Sequence, residues 1–284
     1  MTRLDRKLKM NERLQREFSL VGKVAMVTGA ARHDGIGAAC AQALADAGAK
    51  VVVADVMDEQ GRQVADSINA AGGSAVYRHL DVRSEAAWMR AIADTVHELG
   101  GFDVLVNNAG TTGNGLIEDL SLAEWKRVRS INLDGVFLGT KQGVVAMRPG
   151  GVAGKGGSII NMGSVTSLVG VASSSSYVGC KGGVRLLSKC AAIECGRLEY
   201  NIRVNTMVPG FIETGLLKDG CQNMVDQGLV QSVEEIRELF RSGHPIGRIG
   251  RPMEIGMGVC FLASDASSFV TGADLVVDGG YTAQ

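Results

Sequence analysis

The sequence lacks the charge excess, the long apolar run and the leader that several classes of protein need. Its 29 basic and 30 acidic side chains leave a formal charge of −1, which gives no field for holding nucleic acid or an anionic membrane. No apolar stretch approaches the ~20 residues of a membrane-spanning helix. The first 18 residues are charged throughout and contain no apolar core of a secretory signal. We therefore expect a cytoplasmic protein that binds neither nucleic acid nor membrane.

Cysteine and proline are also scarce. The 6 cysteines form no CxxC pair and no metal-ligand spacing, so the sequence predicts no metal site, and we expect reduced thiols in the core. Only 4 prolines accompany 39 glycines without a Gly-X-Y period, which is typical of a compact protein with many tight turns. A chain of 284 residues suits one large domain.

From Lys23 onward, short β-branched runs alternate with longer amphipathic segments, the pattern of parallel strands joined by helices. The predicted strands cover residues 24–28, 50–55, 74–81, 103–108, 157–164, 202–208 and 273–279. The predicted helices cover residues 35–47, 58–71, 84–99, 121–147, 173–199 and 252–263. The fold class is therefore α/β, a single doubly wound parallel sheet of seven strands with helices on both faces.

Two segments lie outside this alternation. Residues 1–19 form a charged extension to the main domain, residues 20–284, and a mobile or loosely docked tail is favoured over a helix that packs on a partner subunit. Such a helix would present Leu4, Leu8, Leu14 and Phe18. Residues 211–243 contain no predicted strand and two or three helical pieces, so we expect a substrate lid there.

The first predicted strand runs into TGAARHDGIG, where Gly29, Gly35 and Gly37 mark the turn into a helix. Such glycines let the backbone approach a pyrophosphate, whose charge the amides at the helix start bind, although a glycine cluster can also be only a tight turn. The second strand ends at Asp55, whose carboxylate can accept hydrogen bonds from both hydroxyls of an adenosine ribose. This favours NAD. Asp55 would repel a phosphate on this ribose. Arg32 could partly offset that repulsion, which leaves NADP as the alternative.

Polar residues also follow the third and fourth strands. Asp81 and Val82 could cover the edge and face of an adenine, and the motif NNAG occupies residues 107–110. Ligands of an open α/β sheet collect at the carboxyl ends of its strands. These residues therefore extend the predicted dinucleotide site.

A second constellation begins at Ser164, the end of the fifth predicted strand. Tyr177 and Lys181 follow at positions i and i+4 of a helix, which share one face. A phenol ionises near ~10, and a neighbouring ammonium in a desolvated cleft can lower its pKa toward neutrality. Ser164 would hold the substrate oxygen while Tyr177 exchanges its proton, and Asn132 could order a water that links Lys181 to solvent. A lone YxxxK is common on surface helices, so the combination with the glycine turn, Asp55 and NNAG carries the interpretation.

In this order the motifs, together with RVNTMVPGFIET at residues 203–214, resemble the short-chain dehydrogenase/reductase family from about residue 20 to the C terminus. The resemblance implies a Rossmann-type sheet in the order 3-2-1-4-5-6-7, a homotetramer, and Asn132, Ser164, Tyr177 and Lys181 as catalytic residues. It further implies that Lys181 bonds the nicotinamide ribose and that Ile212 and Thr214 contact the carboxamide. The residues implied in cofactor binding are Gly29, Arg32, Gly35, Ile36, Gly37, Asp55, Asp81, Val82, Asn108, Ala109, Gly110, Tyr177, Lys181, Pro209, Gly210, Ile212 and Thr214.

One departure from the family pattern concerns the glycine turn. Five residues, AARHD, separate Gly29 from Gly35, where the family usually has three. The longer spacing resembles that of enoyl reductases in the same superfamily, but those enzymes place their tyrosine and lysine further apart than Tyr177 and Lys181. We therefore do not predict enoyl reduction. The longer loop leaves open whether Arg32 or His33 reaches the ribose.

The predicted function is an NAD(H)-dependent oxidoreductase that interconverts a secondary alcohol and a ketone. One alternative is an NADPH-dependent 3-oxoacyl thioester reductase, which would need a phosphate site that Asp55 opposes. The other is a non-catalytic nucleotide-sensing protein of the same fold, against which the intact Ser, Tyr and Lys set argues. The segments expected around the substrate suggest an apolar or cyclic alcohol, through Leu168, Val169, Val171, Leu216, Leu217 and Met224.

Overall fold

The computed structural model describes residues 12–284 as one parallel sheet covered by helices on both faces. The strands are β1 (Val24–Thr28), β2 (Lys50–Asp55), β3 (Ser74–His79), β4 (Val104–Asn107), β5 (Gly157–Met162), β6 (Ile202–Pro209) and β7 (Asp274–Val277). Their spatial order is β3-β2-β1-β4-β5-β6-β7, with parallel pairing throughout. The predicted fold class and strand order are therefore confirmed.

The helices connect consecutive strands and flank the sheet. They are α1 (Ile36–Asp46), α2 (Asp58–Ala70), α3 (Glu85–Leu99), α4 (Leu122–Arg129), α5 (Gly135–Met147), α6 (Ser175–Arg197), α7 (Gly215–Asp226), α8 (Val233–Ser242) and α9 (Pro252–Ala263). The predicted lid segment, residues 211–243, thus holds the two helices α7 and α8 and no named strand. Within residues 12–284 no helix has both the length and the apolar character needed to cross a membrane.

The core lies on both faces of the sheet because the central strands are apolar along their whole length. Every residue of β1 is buried, with Ala25 and Val27 on the face covered by α1 and α9 and Met26 on the face covered by α3 and α5. Trp88 of α3 is fully buried in the second layer. β2 and β4 pair with opposite edges of β1, so the connections that follow β1 and β4 leave the sheet in different directions. This leaves a crevice at the carboxyl ends of β1 and β4, where ligands of such sheets bind.

Three strands end two residues earlier than predicted, because local turns take over the backbone hydrogen bonds. After β3, Asp81 O accepts from Ser84 N at 3.0 Å and starts the turn into α3. After β5, Ser164 begins a short 3-10 turn. β7 ends at Val277, and the carboxylate of Asp278 then accepts the backbone N–H groups of Gly280 and Thr282, both at 2.9 Å.

The single helix predicted over residues 121–147 is interrupted. A π-helical turn, Ser130–Asp134, separates α4 from α5. Inside it, the Asn132 amide nitrogen donates to Thr111 O at 2.8 Å and to Val128 O at 3.1 Å. Such one-turn widenings of a helix occur frequently at functional sites.

The N-terminal extension is only partly covered by the structure. Residues 12–18 are helical, and the expectation of a mobile or loosely docked tail stays a prediction. The ring of Phe18 packs against that of Phe261 on α9, with centroids 6.3 Å apart, and the neighbouring Leu20 is fully buried. Leu14 is 56% exposed. Leu4 and Leu8 lie outside the described residues.

Candidate functional site

A cavity of about 610 Å³ opens beyond the ends of β4, β5 and β6. It is lined by eleven of the predicted site residues, namely Ile36, Asn108, Gly110, Asn132, Ser164, Tyr177, Lys181, Pro209, Gly210, Ile212 and Thr214. The other predicted residues do not line it, namely Gly29, Arg32, Gly35, Gly37, Asp55, Asp81, Val82 and Ala109. The structure therefore brings the predicted chemical end into one cavity and leaves most of the predicted adenosine end outside it.

Tyr177 and Lys181 lie on successive turns at the start of α6. The Lys181 Nζ is 5.5 Å from the centroid of the Tyr177 ring, as the i and i+4 spacing predicts. Lys181 is only 3% exposed, and its Nζ donates to Met162 O at 2.7 Å. The ammonium is thus held between the end of β5 and the phenol ring.

The pKa values of this pair are governed by burial. Burial raises the pKa of Tyr177 to about 12, and the Ser164 hydroxyl beside the phenol lowers it in part. Burial also lowers the pKa of Lys181 to about 8. Mutual attraction between a phenolate and an ammonium would shift both pKa values the other way. In the protein without a bound cofactor, burial therefore sets the direction of the Tyr177 pKa shift, and a lowering of this pKa by Lys181 stays a prediction.

Ser164 is fixed by the 3-10 turn that follows β5. Its Oγ accepts from Thr166 N at 3.2 Å, and its backbone N–H donates to Ser167 Oγ at 3.1 Å. Both contacts lie on the turn side, so the hydroxyl keeps its own hydrogen available to a neighbour. Ser164 therefore presents a fixed hydroxyl to the cavity beside Tyr177.

The side chain of Asn132 is fully buried and engaged with backbone groups. Its Oδ1 accepts from Thr111 N at 3.1 Å, in addition to the bonds that its amide nitrogen donates. A Cβ at Gly110 would lie 2.7 Å from this Oδ1, so the loop after β4 can approach Asn132 only as glycine. The polar atoms of the Asn132 side chain therefore hold this loop, and the ordering of a water by Asn132 stays a prediction.

The glycine turn is fastened to the loop after β4. The Asn108 amide nitrogen donates to Thr28 O at 2.9 Å and to Gly29 O at 3.0 Å. Gly29 has φ +64°, and a Cβ there would lie 2.6 Å from Ala109 Cα. The turn can adopt this conformation and this approach because residue 29 is glycine.

The start of α1 fits the binding of an anionic group. Its N-cap residue is Gly35, which supplies no side-chain acceptor to the amides of the first turn. Those N–H groups have no partner within the helix, and the helix dipole adds positive potential at the same place. The donor set at Ile36 and Gly37 therefore suits the diphosphate of a dinucleotide.

Asp55 lies at the end of β2, next to the glycine turn. One carboxylate oxygen accepts from Ala31 N at 3.0 Å, and the other accepts from Val56 N at 2.7 Å and Met57 N at 3.1 Å. Its side chain is only partly buried. The carboxylate is thus held in place by three backbone N–H groups, which leave about one of its roughly four acceptor positions without a partner among the described residues.

Asp81 and Val82 are placed differently from each other. The Asp81 carboxylate pairs with the Arg83 guanidinium at 2.7 Å, and this hydrogen bond holds the pKa of Asp81 below its usual value. Val82 is 8% exposed, and its carbonyl accepts from Trp88 Nε1 at 3.0 Å. The pair with Arg83 therefore uses part of the hydrogen-bonding capacity of the Asp81 carboxylate, which was expected to contact the edge of an adenine.

Arg32 does not extend toward Asp55. Its Nη1 lies 2.7 Å from Asp219 Oδ2 on α7, and its Nε lies 3.7 Å from Asp34 Oδ1. The expectation that Arg32 offsets the charge of Asp55 is therefore not matched by its position. Its contact with α7 joins segments that are 187 residues apart in sequence, so no local pattern could predict it.

Buried polar residues that the sequence interpretation missed hold the site elements together. Thr28 Oγ1 accepts from Asn108 N at 3.0 Å and from Ala109 N at 3.1 Å. Asn161 of β5 accepts from the Asn107 amide at 2.8 Å and donates to Ser188 Oγ of α6 at 2.9 Å. The available signal was a buried-strand pattern interrupted by asparagine in both VLVNN and GSIINM.

The outer part of the cavity is apolar and aromatic. The rings of Phe211 and Phe240 stack 3.8 Å apart, and Tyr281 meets Phe211 edge-on at 5.3 Å. Of the apolar residues expected here, the structure places these at the cavity: Val171, Leu216, Leu217 and Met224. Leu168 and Val169 are not among its lining residues. Phe240 lies in the predicted lid segment, whereas Tyr281 lies outside every segment that was expected around the substrate.

Charge is nearly absent from this cavity. Among its lining residues in the described part of the chain, Lys181 alone carries a charged side chain. Its Nζ is directed to Met162 O and the phenol, away from the apolar outer wall. The cavity therefore contains no cation placed to bind a carboxylate or phosphate at the end distant from Tyr177.

Comparison with known proteins identifies the family of the chain. The family model described as "Enoyl-(Acyl carrier protein) reductase" matches residues 29–282. The chain is 41% identical over 269 residues to the "NADP-dependent (R)-specific alcohol dehydrogenase" of Lentilactobacillus kefiri, covering 93% of this chain and 98% of that protein. It is 42% identical over 267 residues to the "Trans-4-hydroxycyclohexanecarboxylate dehydrogenase" of Sinomonas cyclohexanicum, covering 92% and 93%.

A solved structure gives the same result at the level of the fold. The short-chain type dehydrogenase/reductase from Mycobacterium marinum superposes with a TM-score of 0.84 at 35% identity, covering 94% of this chain and 98% of that one. The chain belongs to the short-chain dehydrogenase/reductase family and is an NAD(P)-dependent oxidoreductase acting on alcohols.

Proposed function

We propose that the protein interconverts a neutral, apolar secondary alcohol, including cyclic ones, and the corresponding ketone, with Tyr177 as the proton-transferring residue. The observation that carries this proposal is the convergence of Ser164, Tyr177 and Lys181 at the inner end of a cavity whose outer wall is apolar. A polar inner end and an apolar outer wall match a substrate that has one polar oxygen and an otherwise apolar body.

Ser164 and Tyr177 bracket one position for the substrate oxygen. In ketone reduction Tyr177 donates its phenolic proton to that oxygen, and in alcohol oxidation the phenolate accepts it. An amine with a pKa of about 8 is mostly protonated at neutral pH, so Lys181 presents a cation one turn from the phenol. A bound nicotinamide dinucleotide supplies the hydride donor or acceptor.

The cofactor would be held by chain elements on both sides of the crevice. The free amides at the start of α1 would bind its diphosphate, and the loop after β4 would lie against it through Gly110. Ile212 and Thr214 line the same cavity from the segment before α7. The Thr214 hydroxyl accepts from Leu217 N at 3.1 Å, so its role at the carboxamide would use its remaining hydrogen.

We further propose that NAD is preferred over NADP, because the Asp55 carboxylate is fixed at the end of β2 beside the glycine turn. Its negative charge would repel a phosphate on the adenosine ribose. The NADP dependence in the name of the Lentilactobacillus kefiri relative favours the opposite preference, so initial rates with the two cofactors decide this point.

A homotetramer is proposed from apolar side chains that remain exposed in the single chain. Phe269 is fully exposed, Leu186 and Ile193 of α6 are 62% and 55% exposed, and Val276 of β7 is 39% exposed. Burial of such residues is typical of subunit interfaces. Light scattering coupled to gel filtration measures the assembly directly.

The free cysteines, of which only Cys190 is exposed, support a reducing cytoplasmic location.

The function is tested by a substrate panel. We expect NADH formation, followed by absorbance, with neutral cyclohexanols, secondary aliphatic alcohols or hydroxysteroids, and weaker turnover when the same ring carries a carboxylate. Preferred reduction of a 3-oxoacyl thioester with NADPH would replace the proposal by the thioester reductase alternative. Binding of dinucleotide without turnover of any alcohol or ketone in the panel would favour the nucleotide-sensing alternative.

A further inference from the structure

The lengthened glycine turn projects a charged segment over the surface. Ala30 and Ala31 are buried, whereas Arg32, His33 and Asp34 are exposed, and Gly35 N donates to Arg32 O at 2.9 Å to close the turn. The exposed side chains of the lengthened turn are therefore those of Arg32, His33 and Asp34.

The Arg32 side chain crosses from this turn to the lid segment. Its guanidinium forms the 2.7 Å ion pair with Asp219 and lies over the backbone of Gly215, the first residue of α7. A Cβ at position 215 would collide with this guanidinium and would lie 2.8 Å from Asp34 Oδ2. Arg32 thus forms an ion pair with Asp219 and also packs against the backbone of Gly215 at the start of α7.

Helix α7 supplies much of the cavity wall through residues that follow this contact. They are Leu216, Leu217, Gly220, Cys221 and Met224. A second polar contact joins the Asn114 amide nitrogen to Gly220 O at 3.2 Å. Helix α8 contacts the segment before α7, since Arg237 forms a bidentate pair with Glu213 at 2.7 Å for each bond, and Lys218 of α7 lies 4.0 Å from the same carboxylate. Arg32, by contrast, joins α7 to the glycine turn.

The two ends of this link border the proposed cofactor crevice. The glycine turn leads into Ile36 at the start of α1, and Gly215 directly follows Thr214, while both Ile36 and Thr214 line the cavity. A displacement of the glycine turn would thus displace α7 through the ion pair. A displacement of α7 would likewise displace the turn.

We propose that Arg32 and Asp219 form a tie that couples the dinucleotide-binding turn to the wall of the alcohol pocket, with Arg32 as a positioning residue for α7. The proposal rests on the proposed function, because it assigns the two coupled regions to cofactor and alcohol. At its exposure the ion pair is a weak contact, so the tie biases the position of α7 and does not lock it.

The test combines hydrogen exchange with kinetics in Arg32→Gln, Asp219→Asn and the double variant. We expect each single variant to speed amide exchange in α7 about two- to fivefold, the range that an exposed ion pair supports, with no further increase in the double variant. Added NAD or NADP should slow α7 exchange in the wild-type protein and do so less in the variants. The alcohol KM should rise by a similar factor at nearly unchanged kcat. Arg32→Lys, which keeps the charge, should recover part of the effect.

Asp226→Asn provides the matched control, because this acid lies on the same helix and accepts only from the Gln222 side chain at 2.8 Å among the described residues. It should leave exchange at residues 215–221 unchanged. Unchanged α7 exchange in both single variants, or effects that multiply in the double variant, would overturn the tie. The exchange measurement needs no substrate, so a failure of the tie is distinguishable from an absence of turnover, which would count against the proposed function alone.

Discussion

Lys181 and Tyr177 stand one turn apart on α6, with the Lys181 Nζ 5.5 Å from the Tyr177 ring centroid and bonded to Met162 O. Burial disfavours the charged form of each, raising the pKa of the phenol to about 12 and lowering that of the amine to about 8. The proposed proton transfer therefore depends on groups that stabilise the phenolate, and Ser164 is the one that the structure identifies.

Ser164→Ala should change both the rate and the pH profile. The Ser164 hydroxyl lowers the pKa of Tyr177, so its removal should move the rise of kcat/KM for alcohol oxidation to higher pH. We also expect kcat/KM to fall about tenfold to a hundredfold, as for the loss of a hydrogen bond to a charged group. Thr166→Val is the control, because Thr166 lines the same cavity and its buried hydroxyl has no hydrogen-bond partner among the described residues. An unshifted profile in Ser164→Ala would contradict the assignment.

Asp55→Ala should raise the ratio of kcat/KM with NADP to that with NAD by about tenfold, because in the proposed site the carboxylate would accept from a ribose hydroxyl and would repel a phosphate. Asp55→Asn removes the charge and keeps one acceptor oxygen, which can serve either Ala31 N or the backbone N–H groups of Val56 and Met57, so it should loosen the turn less than Asp55→Ala. Asp81→Ala should affect both cofactors equally. A ratio that is unchanged in both Asp55 variants would remove the ribose role.

Lys181→Met should reveal the cost of burying the amine as a pH dependence of stability. The folded-state pKa is lowered from 10.5 to about 8, so between these values the unfolded chain binds the additional proton. Wild-type stability should therefore gain on the order of 3 kcal/mol from this residue as pH rises through that window. Urea unfolding of both proteins from pH 7 to 10.5 measures the difference. The free energy of unfolding of the wild-type protein minus that of Lys181→Met should rise with pH. A difference that stays constant or falls would contradict the burial argument.

The sheet was predictable because its signals are local. The buried runs of β1 and β2 end where glycine or acid begins a turn, and the structure gives both strands the predicted bounds. The spacing of Tyr177 and Lys181 likewise follows from helical geometry. The ends of β3 and β5 were missed because neighbouring turns compete for the last backbone groups.

The remaining site features depend on contacts between distant segments. The direction of Arg32 is set by Asp219 and Gly215, and the aromatic wall joins Phe211 to Tyr281 at the other end of the chain. The pKa of Tyr177 depends on how much protein surrounds it, which the i and i+4 spacing does not contain. A charge argument made from spacing alone therefore could not predict the direction of the Tyr177 pKa shift in the protein without cofactor.

The most direct measurement compares the wild-type protein with Tyr177→Phe in the oxidation of a neutral cyclic secondary alcohol, with NAD binding measured by calorimetry in parallel. The variant keeps the ring against Lys181 and loses only the hydroxyl. We predict that turnover falls by about 10²–10⁴-fold while NAD binds with little change. Turnover by Tyr177→Phe within a few fold of the wild-type rate would contradict the central claim that this phenol transfers the proton.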